Sequence, residues 1–401
     1  MPSLRQAGTR HATHYESVAR EANILYQQGG DKITRGLVLF DTERRNIEIG
    51  QAWVASHMAS DQKITRLCSS YPDAAAHWLL VLFHPRERIT WLEAAVIAAK
   101  RLGDKQAEAT HLGNLGSAYV ALGEVRRSIA EHERALAIAR EIGDRMSEEA
   151  VLGNLGSAYY SLGSLHNAID YQEQALALSR AIGDTRNESN WVGNLGLTHF
   201  ALGKTQKAIE YYEQALTIAK EIGDRRSEGV WLGNLGNAYC ELGEVQKAIP
   251  SYEQALLIDR AIGDRRAQGA DLGNLGVAYF AIGEIQKAIA SYEQGLLIAQ
   301  ETGDRRSEGD HLGNLGLAYD ELREPQKAIG NHENALTIHR EIDYRRGEAA
   351  DLLNLSFSFE GLDDVPKAIE FAAKALAIFD DIDSPYAERA RRQLEQLEKL
   401  R

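Results

Sequence analysis

The sequence predicts an all-α fold, a superhelix of stacked helical hairpins, and three observations support this prediction. An asparagine recurs every 40 residues without an insertion. The run Gly-Asn-Leu-Gly around it is intact six times between Gly113 and Gly316, and Gly-Asp pairs recur at the same spacing. Repeats of about 20–50 residues are typical of proteins in which each unit packs on its neighbours. The repeated asparagines are Asn114, Asn154, Asn194, Asn234, Asn274, Asn314 and Asn354.

The chain before the repeats divides into two parts. Residues 1–63 are predicted to form an N-terminal helical segment outside the repeat register. Residues 64–103 are predicted to form a degenerate unit, because apolar residues at helical spacing keep the register of a second helix while Ala74 stands at the asparagine position. The residues in register are Ile89, Ala95 and Ala99.

Residues 104–383 hold seven units of 40 residues, each predicted to be a helical hairpin. In the fourth unit, Asp224 can accept hydrogen bonds from the free N–H groups of a helix start, and Gly243 suits the left-handed end of that helix. A second helix is predicted from about Val245 to Gly263. Such a hairpin cannot cover its own apolar face, so each unit needs its neighbours.

Residues 384–401 are predicted to form a C-terminal capping helix. Ser384 and Pro385 are a typical helix start, and the residues that follow carry one apolar stripe on an otherwise charged helix. A terminal cap needs one face to bury and one face in contact with water. The stripe consists of Tyr386, Ala390, Leu394 and Leu397.

The composition narrows the function classes. The 401 residues are 44% hydrophobic and carry a formal net charge of −13, which argues against a nucleic-acid partner held by phosphate contacts. The two cysteines, Cys68 and Cys240, are too far apart to suggest a disulfide framework or a metal site, and no catalytic or cofactor motif emerges. The longest apolar run, residues 74–83, is too short for membrane insertion. We expect a cytoplasmic protein that is not an enzyme.

Each unit carries residues that resemble the two helix signatures of the tetratricopeptide repeat (TPR). The 40-residue period is similar to the subtype found in Partner-of-Inscuteable-type polarity adaptors, kinesin light chains and many bacterial regulators. This resemblance covers residues 104–383 and implies a right-handed α-α superhelix, a TPR solenoid, which binds a protein or peptide in extended form. In the fourth unit the matching residues are Leu235, Gly236, Tyr239, Ala248, Tyr252 and Ala255.

A second resemblance concerns the N-terminal segment. The runs His11-Ala-Thr-His14-Tyr15 and Phe40-Asp-Thr-Glu-Arg-Arg-Asn46-Ile47 are similar to the segment that joins the nucleotide switch to the repeats in bacterial STAND (signal-transduction) ATPases. This resemblance implies an alternative function, a regulatory sensor arm of such an ATPase in a fragment without the nucleotide domain.

The seven repeated asparagines, here called the asparagine ladder, are the main candidates for ligand binding. Each precedes a leucine predicted to be buried, on the side that faces the concave surface in TPR proteins. An asparagine amide offers a donor and an acceptor, so it can pair with a peptide backbone whatever the peptide's side chains. The alternative is that each asparagine only ties adjacent helices together. Intramolecular or self-association of the chain is also left open.

Two rows of residues beside the ladder, here called the variable rows, differ between units, as a binding surface requires. They lie one and two helical turns beyond the glycine that precedes each asparagine. Their middle is apolar and aromatic, and their C-terminal end is acidic at Asp320 and Glu360. This pattern predicts a ligand with an apolar anchor and a basic residue toward the acidic end. The candidate binding residues in these rows are Tyr160, Leu197, Phe200, Asn237, Phe280 and Asp320.

The glycine before each asparagine allows two interpretations. In the first interpretation, the missing side chain leaves room in the groove for a ligand backbone to approach. In the second, it lets the next hairpin pack closely at this point. The seventh unit departs from the pattern, because Leu353 replaces this glycine and Ser356 replaces the glycine after the next leucine.

Overall fold

The structure, a computed structural model, describes residues 4–400, and this part of the chain consists of α-helices joined by short turns. The helices fall into two compact units, divided between Ala201 and Leu202.

The first unit begins with helices that do not follow the 40-residue period. They are α1 (Leu4–Gln27), α2 (Asp31–His57), a short 3-10 helix (Met58–Ser60), α3 (Gln62–Ala74), α4 (Ala76–Val81) and α5 (Pro85–Leu102). Periodic helices follow: α6 (Lys105–Ala121), α7 (Val125–Ile142), α8 (Arg145–Ser161), α9 (Leu165–Ile182) and α10 (Thr185–Ala201).

The second unit continues the period and ends with one additional helix. Its helices are α11 (Thr205–Glu221), α12 (Arg225–Glu241), α13 (Val245–Ile262), α14 (Arg265–Ala281), α15 (Ile285–Thr302), α16 (Arg305–Glu321), α17 (Pro325–Glu341), α18 (Arg345–Glu360), α19 (Val365–Asp381) and α20 (Ala387–Glu398). The all-α hairpin fold predicted from the repeat is confirmed. Within the described residues, no helix is long and apolar enough to cross a membrane.

Turn chemistry sets the helix ends. The Asp side chains that precede the first helices accept hydrogen bonds from the backbone N–H three residues later, at 3.2 Å in the case of Asp224 and Ser227. Glycines with positive φ end most helices, such as Gly263 at 74°. Near the C-terminal end, Arg323, Asp343, Asp363 and Asp383 hold the same left-handed conformation without being glycine.

Each of the two compact units has its own core. In the first compact unit, residues 4–201, the side chains of Phe40, Ile47, Tyr71 and Trp78 are fully buried among the non-periodic helices. In the periodic part of both units, the second helix of a hairpin packs on the first helix of the next, as α13 does on α14, and the first helices of successive hairpins also touch, as α14 and α16 do. At the C-terminal end, α20 packs on α19 and buries Ala390 and Leu397.

At the glycine after the ladder leucine, a side chain of the second helix packs closely against the backbone of the first. A Cβ atom built on Gly276 would lie 2.3 Å from Cε1 of Tyr292, and one on Gly236 would lie 2.5 Å from Cε1 of Tyr252. These glycines cost about 1 kcal/mol in a helix relative to alanine. The close approach of a second-helix side chain, which is a ring in most units and Gln172 at Gly156, accounts for their recurrence.

Gly276→Ala is therefore expected to destabilise the protein by about 1–3 kcal/mol, because the buried Tyr292 ring must move to admit the methyl group. Gly330 is the matched control, since it also lies inside a helix but a Cβ there meets no atom within 4 Å. Gly330→Ala is expected to stabilise the protein by about 0.5–1 kcal/mol. Denaturant unfolding of both variants checks this, and equal effects of the same sign would contradict the packing argument.

Candidate ligand-binding surface

The asparagine ladder runs along the middle of the first helices. The leucine that follows each asparagine is buried, whereas Asn114 is exposed and the other six asparagines are half-buried. Within residues 4–400, no hydrogen bond engages any of the seven carboxamides. The amides are therefore at least partly accessible, and within the described residues none of them ties adjacent helices through a hydrogen bond.

The variable rows lie on the same helices, one and two turns from the ladder, and their side chains are accessible. In the first compact unit, Tyr160 is 39% exposed, and Leu197 and Phe200 are half-buried. In the second compact unit, Asn237 is exposed and Phe280 is half-buried. The Asn237 side chain is only partly available to a ligand, because its Oδ1 accepts a hydrogen bond from the buried Tyr252 hydroxyl at 2.8 Å.

The glycines that precede the ladder asparagines contact the next hairpin. A Cβ on Gly153 would overlap the indole of Trp191, and a Cβ on Gly273 would lie 3.1 Å from the His311 ring. At Gly313 the nearest atom is Oδ1 of Asp351, at 3.3 Å. These distances favour the interpretation that the glycines allow close packing between first helices.

The acidic end of the variable rows is already hydrogen-bonded. Oδ2 of Asp320 accepts a hydrogen bond from Ser358 Oγ at 2.8 Å and lies 3.3 Å from His332 Nε2. Oε2 of Glu360 accepts a hydrogen bond from Gln393 Nε2 of α20 at 2.6 Å. These contacts weaken the expectation that a basic ligand residue binds at this end.

Two adjoining cavities in the second unit bring several candidate residues together. One of about 300 Å³ is lined by the ladder residues Asn314 and Asn354, and one of about 590 Å³ is lined by Phe280, Asp320 and Phe357. Leu317, Asn354 and Arg389 line both cavities. Two ladder residues and four residues of the variable rows thus line adjoining cavities at the C-terminal end of the second compact unit.

A buried ion pair at this surface was not identified from the sequence. Nδ1 of His339 lies 2.7 Å from Oδ2 of Asp351, and Nε2 of His339 lies 3.5 Å from Oδ1 of Asp310. Burial opposes a charge on His339, but the two carboxylates outweigh it and raise the pKa of His339 to about 9. His339 is therefore positively charged at neutral pH.

A second buried pair lies two hairpins earlier. Asp259 on α13 and Asp271 on α14 are both nearly inaccessible, and their carboxyl groups lie close enough to interact electrostatically. Burial, and then the charge of Asp259, raise the pKa of Asp271 to about 8. The pair consequently shares a proton at neutral pH. In the part of the chain that the structure describes, no three His, Cys, Asp or Glu side chains are grouped so that they could hold a metal ion.

The fold and this surface define a class of proteins, the helical-repeat proteins that present a row of first helices with accessible polar and apolar side chains. The tetratricopeptide-repeat family matches residues 112–146, 147–221 and 227–301. These parts of the chain are tetratricopeptide repeats. No curated protein matches its sequence significantly.

Three solved structures share the fold at low sequence identity. A STAND signal-transduction ATPase with a tetratricopeptide-repeat sensor from Pyrococcus horikoshii is 16% identical, with a TM-score of 0.65 over 96% of this chain, and this chain spans 60% of that protein. The apo quorum sensor NprR from B. thuringiensis is 16% identical, with a TM-score of 0.60 over 84% of this chain and 95% of its own. A Rap protein complexed with competence and sporulation factor is 13% identical, with a TM-score of 0.50 over 84% of this chain and 98% of its own.

Proposed function

We propose that the chain is a cytoplasmic protein-interaction scaffold, which holds an extended peptide segment along the asparagine ladder while the variable rows bind its side chains. The observation that carries this proposal is the state of the seven carboxamides. They are accessible and have no hydrogen-bond partner within residues 4–400, although their repeat spacing is strict. An amide without an internal partner is available to a peptide backbone.

The apolar row is needed as well as the ladder. A net hydrogen bond contributes about 0.5–1.5 kcal/mol, and association costs at least about 4 kcal/mol. Ladder contacts alone would therefore give weak binding. The exposed or half-buried Tyr160, Leu197, Phe200 and Phe280 offer the additional apolar area.

The structural relatives support this proposal at the level of the fold. One of them is a quorum sensor, and another was solved in complex with competence and sporulation factor. Both share the helical-repeat fold of this chain.

The triple variant Asn194→Ala, Asn234→Ala, Asn274→Ala tests the ladder. We expect it to bind the partner about 10-fold to 1,000-fold more weakly, because three backbone contacts are lost. Its helicity and melting temperature should stay close to those of the parent protein, because these carboxamides make no internal hydrogen bonds. The partner is first isolated with the parent protein as bait, and its affinity for each variant is then measured by calorimetry.

The control is Asn167→Ala, Asn334→Ala, which removes two exposed asparagines from second helices. This control should bind the partner as the parent protein does. Unchanged affinity of the triple variant with intact helicity would reject the ladder as a binding element.

A second candidate function is the sensor arm of a STAND-type ATPase. It is favoured by the likeness to the Pyrococcus protein, which extends over the non-periodic helices α1–α5 as well as the repeats. The genomic sequence upstream of Met1 tests it. A native start at Met1 with no nucleotide-switch domain encoded before it would remove this candidate and leave the scaffold function unaffected.

A further inference from the structure

The two buried carboxyl groups of Asp259 and Asp271, here called the acidic pair, lie between two successive repeat hairpins. Asp259 is on α13, the second helix of one hairpin, and Asp271 is on α14, the first helix of the next. The interface before it holds Ala219 and Trp231 at these two positions. Two carboxyl groups are therefore a special feature of one interface in an otherwise regular array.

The acidic pair also lies against α12, the first helix of the earlier hairpin. A Cβ atom built on Gly229 would lie 2.8 Å from Oδ1 of Asp259, and one built on Gly233 would lie 3.4 Å from Oδ1 of Asp271. Gly233 directly precedes the ladder residue Asn234, and Asp271 lies about one helical turn before the ladder asparagine of α14. The pair thus contacts or belongs to the helices that carry two consecutive ladder residues.

The charged groups around the acidic pair supply no net positive charge to it. Arg226 on α12 attracts Asp259, but its guanidinium group is paired at 3.4 Å with Asp264, which repels Asp259. Tyr252 on α13 faces Asp271 and is neutral, because burial raises its pKa. Within residues 4–400, no N–H or hydroxyl group donates a hydrogen bond to the buried Oδ2 of Asp271.

The acidic pair is stable in its buried site only while it holds a proton. With the proton bound, one negative charge is buried. When the proton is lost, two like charges face each other away from water, and both desolvation and repulsion oppose the closed interface. Burial, and then Asp259, raise the pKa of Asp271 to about 8, so the proton is lost just above neutral pH.

Separation at this interface would reach the asparagine ladder directly. In a helical-repeat array each hairpin is held by its immediate neighbours. The first helices α12 and α14 contact each other across the interface that contains the pair. A change in this interface therefore changes the distance between Asn234 and Asn274.

We propose that the acidic pair is a proton-dependent switch, in which proton loss separates the α12–α13 and α14–α15 hairpins and weakens the binding of a peptide to the asparagine ladder. The inference rests on the proposed function and names the regulation of that site. A peptide bound to consecutive ladder residues requires a fixed distance between them. By linkage, a peptide that prefers the protonated protein also makes the pair harder to deprotonate.

The first experiment requires no ligand. Amide hydrogen exchange of the parent protein and of Asp271→Asn is compared at pH 6 and at pH 9, both proteins at the same pH, so that the intrinsic exchange rate cancels. In α13 and α14, the ratio of the parent rate to the variant rate is expected to be at least about tenfold larger at pH 9 than at pH 6. The amides of α18 and α19 are the internal reference. An equal change in that reference would show an effect on overall stability alone and would overturn the switch.

The second experiment measures binding of N-acetyl-Ala-Leu-Ala-Phe-Ala-amide, a peptide without a titratable group. Binding is followed through the methyl NMR signals of Leu235 and Leu275, which directly follow two ladder asparagines. The parent protein is expected to bind this peptide about tenfold more weakly at pH 9 than at pH 6, because about one tenth of the protein then keeps the proton. Asp271→Asn is expected to bind it equally at both pH values.

Two further variants make the assignment specific. The double variant Asp259→Ala, Asp271→Trp leaves no carboxyl group to titrate at these two positions. It copies the preceding interface, which holds Ala219 and Trp231, and should bind the peptide equally at both pH values. The control Glu241→Gln removes an exposed acid from the end of α12 and should retain the tenfold difference.

The outcomes separate this inference from the proposed function. Equal affinity of the parent protein at pH 6 and pH 9 would overturn the switch and leave the ladder intact. A pH dependence that persists in Asp271→Asn would do the same, because another group would then be responsible. No response of Leu235 and Leu275 to the peptide at either pH would count against both.

Discussion

His339→Ala is expected to destabilise the protein by about 3–5 kcal/mol at pH 7. The substitution removes the positive charge 2.7 Å from Asp351, whose side chain is almost completely buried. A buried carboxylate without a partner bears the full cost of desolvation. The loss exceeds that of an exposed salt bridge, which contributes about 0–1 kcal/mol.

The effect depends on pH in a defined direction. Because the folded-state pKa of His339 is raised to about 9, the stabilisation from its charge is fully present below the unfolded value of about 6.5. It is lost as the pH rises through about 9. Urea unfolding at pH 7 and pH 10 is expected to give a smaller difference between parent and variant at the higher pH.

The double variant His339→Ala, Asp351→Val is the control. It copies Ala139 and Val151, which occupy the same positions in the first two repeat hairpins and are buried there. With no carboxylate left to desolvate, it should regain much of the stability lost in the single variant. A double variant no more stable than His339→Ala would show that packing around the imidazole, and not the charge pair, supplies the stability.

Asp271→Asn is expected to stabilise the protein, and the gain is expected to be about 3 kcal/mol larger at pH 9 than at pH 6. The folded-state pKa of Asp271 is about 8, above the unfolded value of about 4, so the proton is held in the folded state and lost from the unfolded one between these pH values. Stability therefore falls as the pH rises through this range, at about 1.4 kcal/mol per pKa unit. Asparagine keeps a hydrogen-bond donor toward Asp259 at every pH.

Melting temperatures of parent and variant between pH 6 and pH 9 measure this effect. Asp351→Asn provides a contrast. Asp351 occupies the same position of the repeat as Asp271, but its partner is the positively charged His339 instead of a second carboxyl group. Asp351→Asn is expected to lower the melting temperature at pH 7. Parallel pH profiles of the parent protein and Asp271→Asn would contradict the shared proton.

Much of the fold was predictable because the helices depend on contacts within one 40-residue unit. Asp224 caps a helix through a residue three positions away, and Gly243 ends one with positive φ at the predicted position. The start of the C-terminal helix was less well predicted, since α20 begins at Ala387 rather than at Ser384. The helix α4 between α3 and α5 also lies within the degenerate unit, which carries no repeat signature there.

The candidate surface was predictable only in part. The ladder positions follow from the period, and their partial exposure follows from the buried leucine beside them. The internal hydrogen bonds of three candidate residues could not be predicted, because each partner lies on another helix. The partner of Asn237 is on the second helix of its hairpin, that of Asp320 is on the next hairpin, and that of Glu360 is on the capping helix. The domain boundaries and the binding role of the ladder stay predictions.

By itself, the sequence determined the repeat period, the helical hairpins and the positions of their caps. The residues that form the short-range hydrogen bonds and the apolar spacing all lie within one 40-residue repeat. The tertiary structure decided which side chains are free. It joined Arg346 to Tyr386 and Arg389 to Phe357 across hairpins, and it buried His339 against Asp351. Those contacts depend on how neighbouring helices pack, and packing sets both the desolvation of a charge and the partners within its reach.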